Sequence, residues 1–513
     1  MTKKTTFDPE LLKNAVALHQ QGCFAHARQL YQQILLLQPD HFDAMHFLGV
    51  IAKQSGQPAE AITLINHAIA TLDGRFNTSH ASAFCNLGTA YQDCQQPELA
   101  LKSYLQAIEL KPDYAIAHNN LGNALKMLGR IEDAMQSYQN ALAASPNYAE
   151  AYFNAGIVLL DNQKFEAALR CFDRAIEIKP DYIDAWFASA NTYQSLRMNE
   201  EAIRNFDHAI ALKPNYAKAY FNRGISFNRL AQYDNAIQSF ELAIHHQPHY
   251  ANAFACLANT LKLAGKIPEA IAAYRRASEM GADPDQIRFA LAALGVSSAP
   301  AAPPVDYVKD LFNQYADRFN THLVDVLNYD VPQLLASLTD KYAQGNQLIT
   351  LDLGCGTGLC GQYLRARSTS LTGVDLAQKM LDKAAQLNLY DELICAELNE
   401  FLRAYSKTAD LIIAADVLVY LGDLLPLFSA IARVLSAGGY FCFSVEESEA
   451  NQHPYILQIS SRYAHSEQYL RNLAAQCGLN VMEMNQHTGR LENQQRNKAL
   501  IVLLQKVAPE AQC

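Results

Sequence analysis

Residues 347–361 read QLITLDLGCGTGLCG, an apolar and β-branched run that passes directly into glycines. A strand ending in such a loop belongs to open α/β sheets, where ligands bind beyond the carboxyl ends of the strands and glycines let the backbone approach them. The stretch contains a literal G-x-G-x-x-G at Gly356, Gly358 and Gly361. Three glycines alone carry little information, because the pattern is short. Two carboxylates carry more: Asp352 stands just before the glycines, and Asp375 follows Gly354 by 21 residues. A carboxylate at Asp375 can accept hydrogen bonds from ribose hydroxyls, which suits any nucleoside. At Asp352 it repels a pyrophosphate and welcomes an ammonium group, which disfavours a dinucleotide.

Outward from this loop, strand-like and helix-like runs alternate. Candidate strands are 347–353, 370–375, 392–397, 410–416 and 439–445. Two more, 479–486 and 498–506, are separated only by polar residues and should pair antiparallel at a sheet edge. The alternation implies a doubly wound, Rossmann-like α/β domain of seven strands over residues 305–506. Before it, GVSSAPAAPP at 295–304 reads as a semi-rigid linker.

The segment LDLGCGTG resembles the first motif of class I S-adenosylmethionine-dependent methyltransferases, and the resemblance runs over about 305–506. It implies that S-adenosylmethionine is the cofactor. Asp352, Gly354 and Gly356 would meet its methionine portion, Gly358 would keep the loop tight, Asp375 would hold the ribose and Leu376 would pack on adenine. Glu397, where the family more often has Asp, and Leu398 would read the adenine edge. NQYADRFNTHL (313–323) resembles the lid helix of bacterial methyltransferases that also carry tetratricopeptide repeats, in which Tyr315 and Phe319 would cover the sulfonium. Asp416, in AADVLVYLGD, would lie beside the transferred methyl and is the candidate catalytic carboxylate; Glu446 and His453 are further candidate bases.

The first half of the chain is periodic. Prolines 112, 146, 180, 214 and 248 recur every 34 residues. Aligned on them, Ala27, Ala61, Ala100, Ala134, Ala168, Ala202, Ala236 and Ala270 share one position, and a large residue such as Tyr104, Tyr138 or Phe172 follows each by four. A Leu-Gly step precedes several of these alanines, as at Leu121-Gly122. The spacing identifies an α-solenoid of tetratricopeptide helix pairs, about eight repeats over residues 8–294. The second unit carries an insertion near Phe76–His80 that lengthens a loop. The concave wall of such an array is a surface for an extended protein or peptide. Asn86, Asn120, Asn154 and Asn222 are the candidate peptide-binding residues, because a primary amide can both donate to and accept from a peptide backbone. They resemble the asparagine ladder in repeats of O-linked N-acetylglucosamine transferases; the alternatives are that they cap or solvate the wall, and that the array only dimerises or spaces the second domain.

Composition narrows the rest. The 513 residues exceed one core, half are hydrophobic and 18% charged, the net charge is −10 and no basic stripe is present, so nucleic acid is not an expected partner. No Asn-Pro-Pro-Tyr, the signature for methylating exocyclic amino groups of nucleic acids, follows the fourth strand, which also argues against a nucleic-acid acceptor; the eleven cysteines include no CxxC pair, so no metal site is expected. The opening residues lack a long apolar run, which predicts no membrane insertion and a cytoplasmic protein. These observations predict a methyltransferase whose array recruits a protein substrate or partner. The alternatives are an enzyme acting on a small molecule, lipid or glycan with repeats for assembly, and a non-catalytic scaffold with a remnant cofactor fold.

Overall fold

The 34-residue period folds as helix pairs. The structure, a computed structural model, describes residues 9–316, 319, 329–343, 345, 347–448, 453–492 and 495–507, with only the backbone at 489–492 and 495–497. The chain forms two compact units, Met1–Pro248 and His249–Cys513.

In the first unit, seven helix pairs run from α1 (Pro9–Gln20) and α2 (Phe24–Leu37) to α13 (Ala217–Arg229) and α14 (Tyr233–His246). The pair α7 (Ala115–Met127) and α8 (Ile131–Ala144) shows why the sequence repeats as it does. Gly129, at φ +72°, ends α7 in a left-handed turn that favours glycine. Ala134 and Tyr138 on α8 are fully buried. The Tyr138 ring lies against Gly122 of α7, where an added Cβ would sit 2.5 Å from a ring carbon. Its hydroxyl donates to Asn123 Oδ1 at 2.7 Å, so the ring cannot swing away. The same close approach recurs at Gly88 with Tyr104, Gly156 with Phe172 and Gly224 with Phe240. These four repeats thus bury one large side chain each, worth about 1.5–3 kcal/mol, in space left by a missing one. The insertion after α4 (Pro58–Ala70) forms a 3₁₀ turn, Thr78–His80, whose first amides are capped by Asn77, before α5 (Ala81–Asp93).

The second unit begins with α15 (Ala251–Leu263), α16 (Ile267–Glu279) and α17 (Pro284–Ala293). After the Pro-rich segment come α18 (Val305–Tyr315) and α19 (Val331–Tyr342), then β1 (Leu348–Leu353), α20 (Gly361–Leu364), β2 (Ser368–Asp375), α21 (Gln378–Gln386) and β3 (Glu392–Cys395). The chain continues through α22 (Leu398–Ala404), β4 (Ala409–Ala414), α23 (Leu425–Val434), β5 (Leu435–Glu447), β6 (Tyr455–Leu457), β7 (Tyr463–His465), α24 (Glu467–Gln476), β8 (Leu479–Glu492) and β9 (Gln495–Lys506). The seven expected strands stand in the order β3-β2-β1-β4-β5-β9-β8, parallel from β3 to β5, with β9 antiparallel to both β5 and β8. This is a Rossmann-like sheet. One apolar layer under it contains Phe428 of α23 packed edge-on against Phe441 and Phe443 of β5. The opposite layer seats Leu335 of α19 against Leu411 and Ile413.

Two features differ from the sequence expectation. The sheet has nine strands among the described residues, because the hairpin β6–β7 adds a second partner for the end of β5. Three-residue strands inside a polar stretch have no readable alternation; they exist because β5 offers Glu446 and Glu447 as pairing partners. The Pro-rich segment, expected as a semi-rigid linker, is also hydrogen-bonded to the sheet domain: Ala301 O accepts from Gly422 N–H at 2.8 Å and from Asp423 N–H at 3.1 Å.

The packing at Gly122 gives a direct expectation. Gly122→Ala forces the pinned Tyr138 ring to move and should lower stability by about 1–3 kcal/mol in urea unfolding. Gly129→Ala meets no neighbour within 4 Å and tests the left-handed turn alone.

Candidate functional site

The glycine loop is shaped by what faces it. Gly354, at φ +67°, has no room for a side chain, since a Cβ there would lie 2.1 Å from Val417 Cγ2. The amides of Gly354 and Cys355 both donate to Val374 O, at 2.7 and 3.0 Å, which folds the loop back onto β2. Asp375 completes the clamp: Oδ2 accepts from Gly356 N–H at 2.9 Å and Oδ1 from Ala377 N–H at 2.8 Å. Burial pushes its carboxyl above the usual range, and these amides pull it back.

The last glycine of the literal pattern serves a different neighbour. A Cβ at Gly361 would lie 2.8 Å from the Tyr390 hydroxyl, and one at Gly373 would lie 2.9 Å from the same ring. In the space they leave, Tyr390 reaches under the loop and donates to Asp352 Oδ2 at 2.7 Å. Asp352 is therefore 1% exposed and does not line the cavity described below. This corrects the expectation that its carboxylate meets the ligand: on β1 its side chain points beneath the loop, into the space kept by the two glycines. Burial raises its carboxyl to about 7; the Tyr390 hydrogen bond lowers it and the Asp375 charge raises it further.

Over the carboxyl ends of the strands lies a cavity of about 240 Å³. Of the expected cofactor residues, Gly354, Gly356, Asp375, Leu376, Glu397, Leu398 and Phe319 line it. Gly358 does not; it packs against Leu387 and Tyr390 and keeps the loop tight. Tyr315 does not either; its ring stands edge-on to Phe319 at 5.4 Å and supports that ring from behind. The lid segment 313–323 is described only at 313–316 and 319, and His322 lies outside the described residues. Phe312, not picked out from the sequence, lines the cavity and meets Tyr420 edge-on at 5.2 Å. Glu397 caps α22 by accepting from Glu400 N–H at 2.9 Å, which fixes its position at the cavity wall.

Asp416 lines the cavity too, and its backbone is in the left-handed region at φ +53°. Ser444, fully buried on β5, holds it there: Asp416 N–H donates to Ser444 Oγ at 2.8 Å, and that hydroxyl donates to Asp416 Oδ1 at 2.7 Å. Asp tolerates this left-handed conformation better than most residues, and the two hydrogen bonds to Ser444 hold its carboxylate at the cavity wall. The other candidate bases are elsewhere. Glu446 is buried in an ion pair with Arg462 at 2.6 Å, and His453 is exposed; neither lines the cavity. Among the described residues lining it, three are carboxylates, Asp375, Glu397 and Asp416, and none is Lys, Arg or His. No group of three or more potential metal ligands occurs among the described residues, and no helix there is long and apolar enough to cross a membrane.

In the helical array the four candidate asparagines bind one another's neighbourhoods. Asn154 donates to Asn119 at 2.9 Å, Asn222 to Asn191 at 2.9 Å, and Asn86 lies 3.0 Å from His46 Nε2. Asn120 accepts from Asn119 at 3.2 Å. Three of the four contacts join successive repeats, and all four side chains are half-buried. An amide using one N–H in this way keeps a second.

Comparison with known proteins agrees with both halves. Residues 351–443 match the family described as "Methyltransferase domain". Residues 12–74 and 187–251 match "Tetratricopeptide repeat", and 88–163 match "TPR repeat". A "Ubiquinone biosynthesis O-methyltransferase" of Thiobacillus denitrificans is 27% identical over 26% of this chain and 65% of its own length. A "Biotin biosynthesis bifunctional protein BioHC" of Saccharophagus degradans is 35% identical over 18% of this chain and 17% of its own. The chain spans less than two thirds of the length of these relatives. The crystal structure of YrrB, described as a TPR protein with an unusual peptide-binding site, has a TM-score of 0.33 and 23% identity over 35% of this chain and 93% of that one.

The raised carboxyl of Asp352 has a measurable consequence. Its folded value, about 7, exceeds the ordinary 3.8, so the folded chain keeps a proton that the unfolded chain has released. The stability it contributes is full below the lower value and is lost as pH rises through the higher one. Asp352→Asn escapes that loss. In the ligand-free protein its advantage over wild type should grow by a few kcal/mol from about pH 4 to about pH 7 in unfolding scans. A difference that stays flat with pH would contradict the burial described.

Proposed function

Taking the chain as a tetratricopeptide-repeat array joined to a methyltransferase domain, we propose that it transfers a methyl group from S-adenosylmethionine and that the array holds a protein partner. One observation carries the cofactor: a cavity that gathers three carboxylates, with no cationic side chain among its described lining residues, suits a cationic nucleoside and not a pyrophosphate. The residues fit it. Asp375 and Leu376 would hold the ribose and adenine, Glu397 and Leu398 the adenine edge, and Gly354 and Gly356 the methionine portion. Phe319 presents a ring to the same space, where a cation is favoured by the ring quadrupole. When bound, the cofactor supplies an electrophilic methyl; the chain's own residues align the acceptor and exclude water. Asp416, oriented by Ser444, is the group placed to accept a proton from an acceptor hydroxyl.

The cavity lining also includes the apolar side chains Val308, Phe312 and Leu421, and we place the acceptor against them. That wall, and the O-methyltransferase relatives, support a small-molecule oxygen acceptor, with the protein in the array acting as a tether that raises local concentration. The half-buried asparagine row supports a second reading, in which the array presents a protein substrate.

Methyl-labelled S-adenosylmethionine added to a lysate lacking the protein separates the two. Wild type should label low-molecular-mass material, and Asp375→Ala should lower labelling by about tenfold or more, since it removes two charge-assisted hydrogen bonds that shape the loop. Label confined to protein bands would select the second reading; no label in either fraction would contradict both.

A further inference from the structure

The segment joining the last repeat to the sheet is held as part of the cavity. Tyr463 of β7 donates its hydroxyl to Pro300 O at 2.8 Å, and Ala301 O takes the amides of Gly422 and Asp423. Immediately after these anchors, Ala302, Pro303 and Val305 line the same cavity as Asp416. Pro303 is buried, while Val305 is 52% exposed, a large apolar side chain left open beside the cavity.

The anchors trace back to the β6–β7 hairpin. Glu446 of β5 pairs with Arg462, with both side chains only 9% exposed, and this fixes the hairpin to the sheet. Gly422 is wedged between the Tyr455 and Tyr463 rings, where a Cβ would come within 2.7 Å of each, and its carbonyl lies 3.1 Å from His465 Nε2. From the other side, Lys262 of α15 donates to Ser461 in the hairpin turn at 3.2 Å, and Phe289 of α17 packs on Tyr307 of α18 at 5.5 Å. The segment is therefore held at Pro300 and Ala301 by the hairpin and the loop that precedes α23, and the helix that follows it packs on α17.

We infer that residues 300–305 form a fixed strap that is the acceptor-side wall of the methyl-transfer site, and that it admits an uncharged, largely apolar small molecule. The strap contributes Ala302, Pro303 and Val305, the loop hydrogen-bonded to it contributes Tyr420 and Leu421, and none of these offers a cation to a carboxylate or phosphate. Acceptor choice is then set in part by residues outside the sheet domain proper. The inference rests on the proposed methyltransferase activity.

The test uses the full chain. It is incubated with methyl-labelled S-adenosylmethionine and, separately, with the chloroform–methanol extract and the protein fraction of cells lacking it. Label should enter the extract, and Ala302→Trp, which fills the space beside the strap, should reduce it by about tenfold or more. Calorimetry with S-adenosylhomocysteine should give the same affinity for Ala302→Trp as for wild type, which shows that the variant is folded. Equal labelling by both proteins, label only in the protein fraction, or no label in the extract from a wild type that binds S-adenosylhomocysteine would overturn the strap. A wild type that does not bind S-adenosylhomocysteine would instead overturn the methyltransferase reading beneath it.

Discussion

The carboxylate of Asp375 organises the site. Its two oxygens take one amide each from Gly356 and Ala377, so a single side chain at the end of β2 fixes the loops that follow both β1 and β2. Gly354 then brings the first loop against Val417, beyond β4, at a distance no side chain would permit. Three loops from three parallel strands are thereby located relative to one another before any ligand arrives. The cavity is what remains between them, at the place where doubly wound sheets bind their ligands. Preorganisation of this kind leaves little ordering to be done when a ligand binds.

The electrostatics follow from the same residues. Asp352 lies below the loop, its carboxyl raised by burial and held by Tyr390, while Asp375, Glu397 and Asp416 border the space above. A loop of glycines leading into a helix would ordinarily suit an anion. Here α20 has four residues, and the carboxylates Asp375, Glu397 and Asp416 border the cavity, which is the ground for proposing a cationic ligand. The literal G-x-G-x-x-G is thus misleading in chemistry although sound in geometry, because its third glycine makes room for Tyr390 and not for a phosphate.

Much of this was legible in the sequence where a local rule dominates. The repeats announce themselves because the helix pairs solve the same packing problem, a large side chain buried over a glycine or alanine, at a fixed spacing. The seven long strands are readable because β-branched and apolar runs alternate with helical ones. Tyr390, Phe312 and the β6–β7 hairpin were not legible. Each depends on a partner far away in the chain: Tyr390 on Asp352, Phe312 on Tyr420, and the hairpin on the last residues of β5. The composition of the Pro-rich segment indicates a semi-rigid linker but not its anchoring, in which its carbonyls accept from Tyr463, Gly422 and Asp423. The asparagine row was visible as a row, but its engagement between successive repeats required the helices to be stacked.

The central claim is that this cavity takes a cationic nucleoside and not a dinucleotide. Calorimetric titration of the ligand-free chain with S-adenosylmethionine and, in parallel, with NAD tests it most directly. The account predicts saturable one-site binding of S-adenosylmethionine and no measurable heat from NAD. Saturable binding of NAD, with S-adenosylmethionine inert, would contradict it.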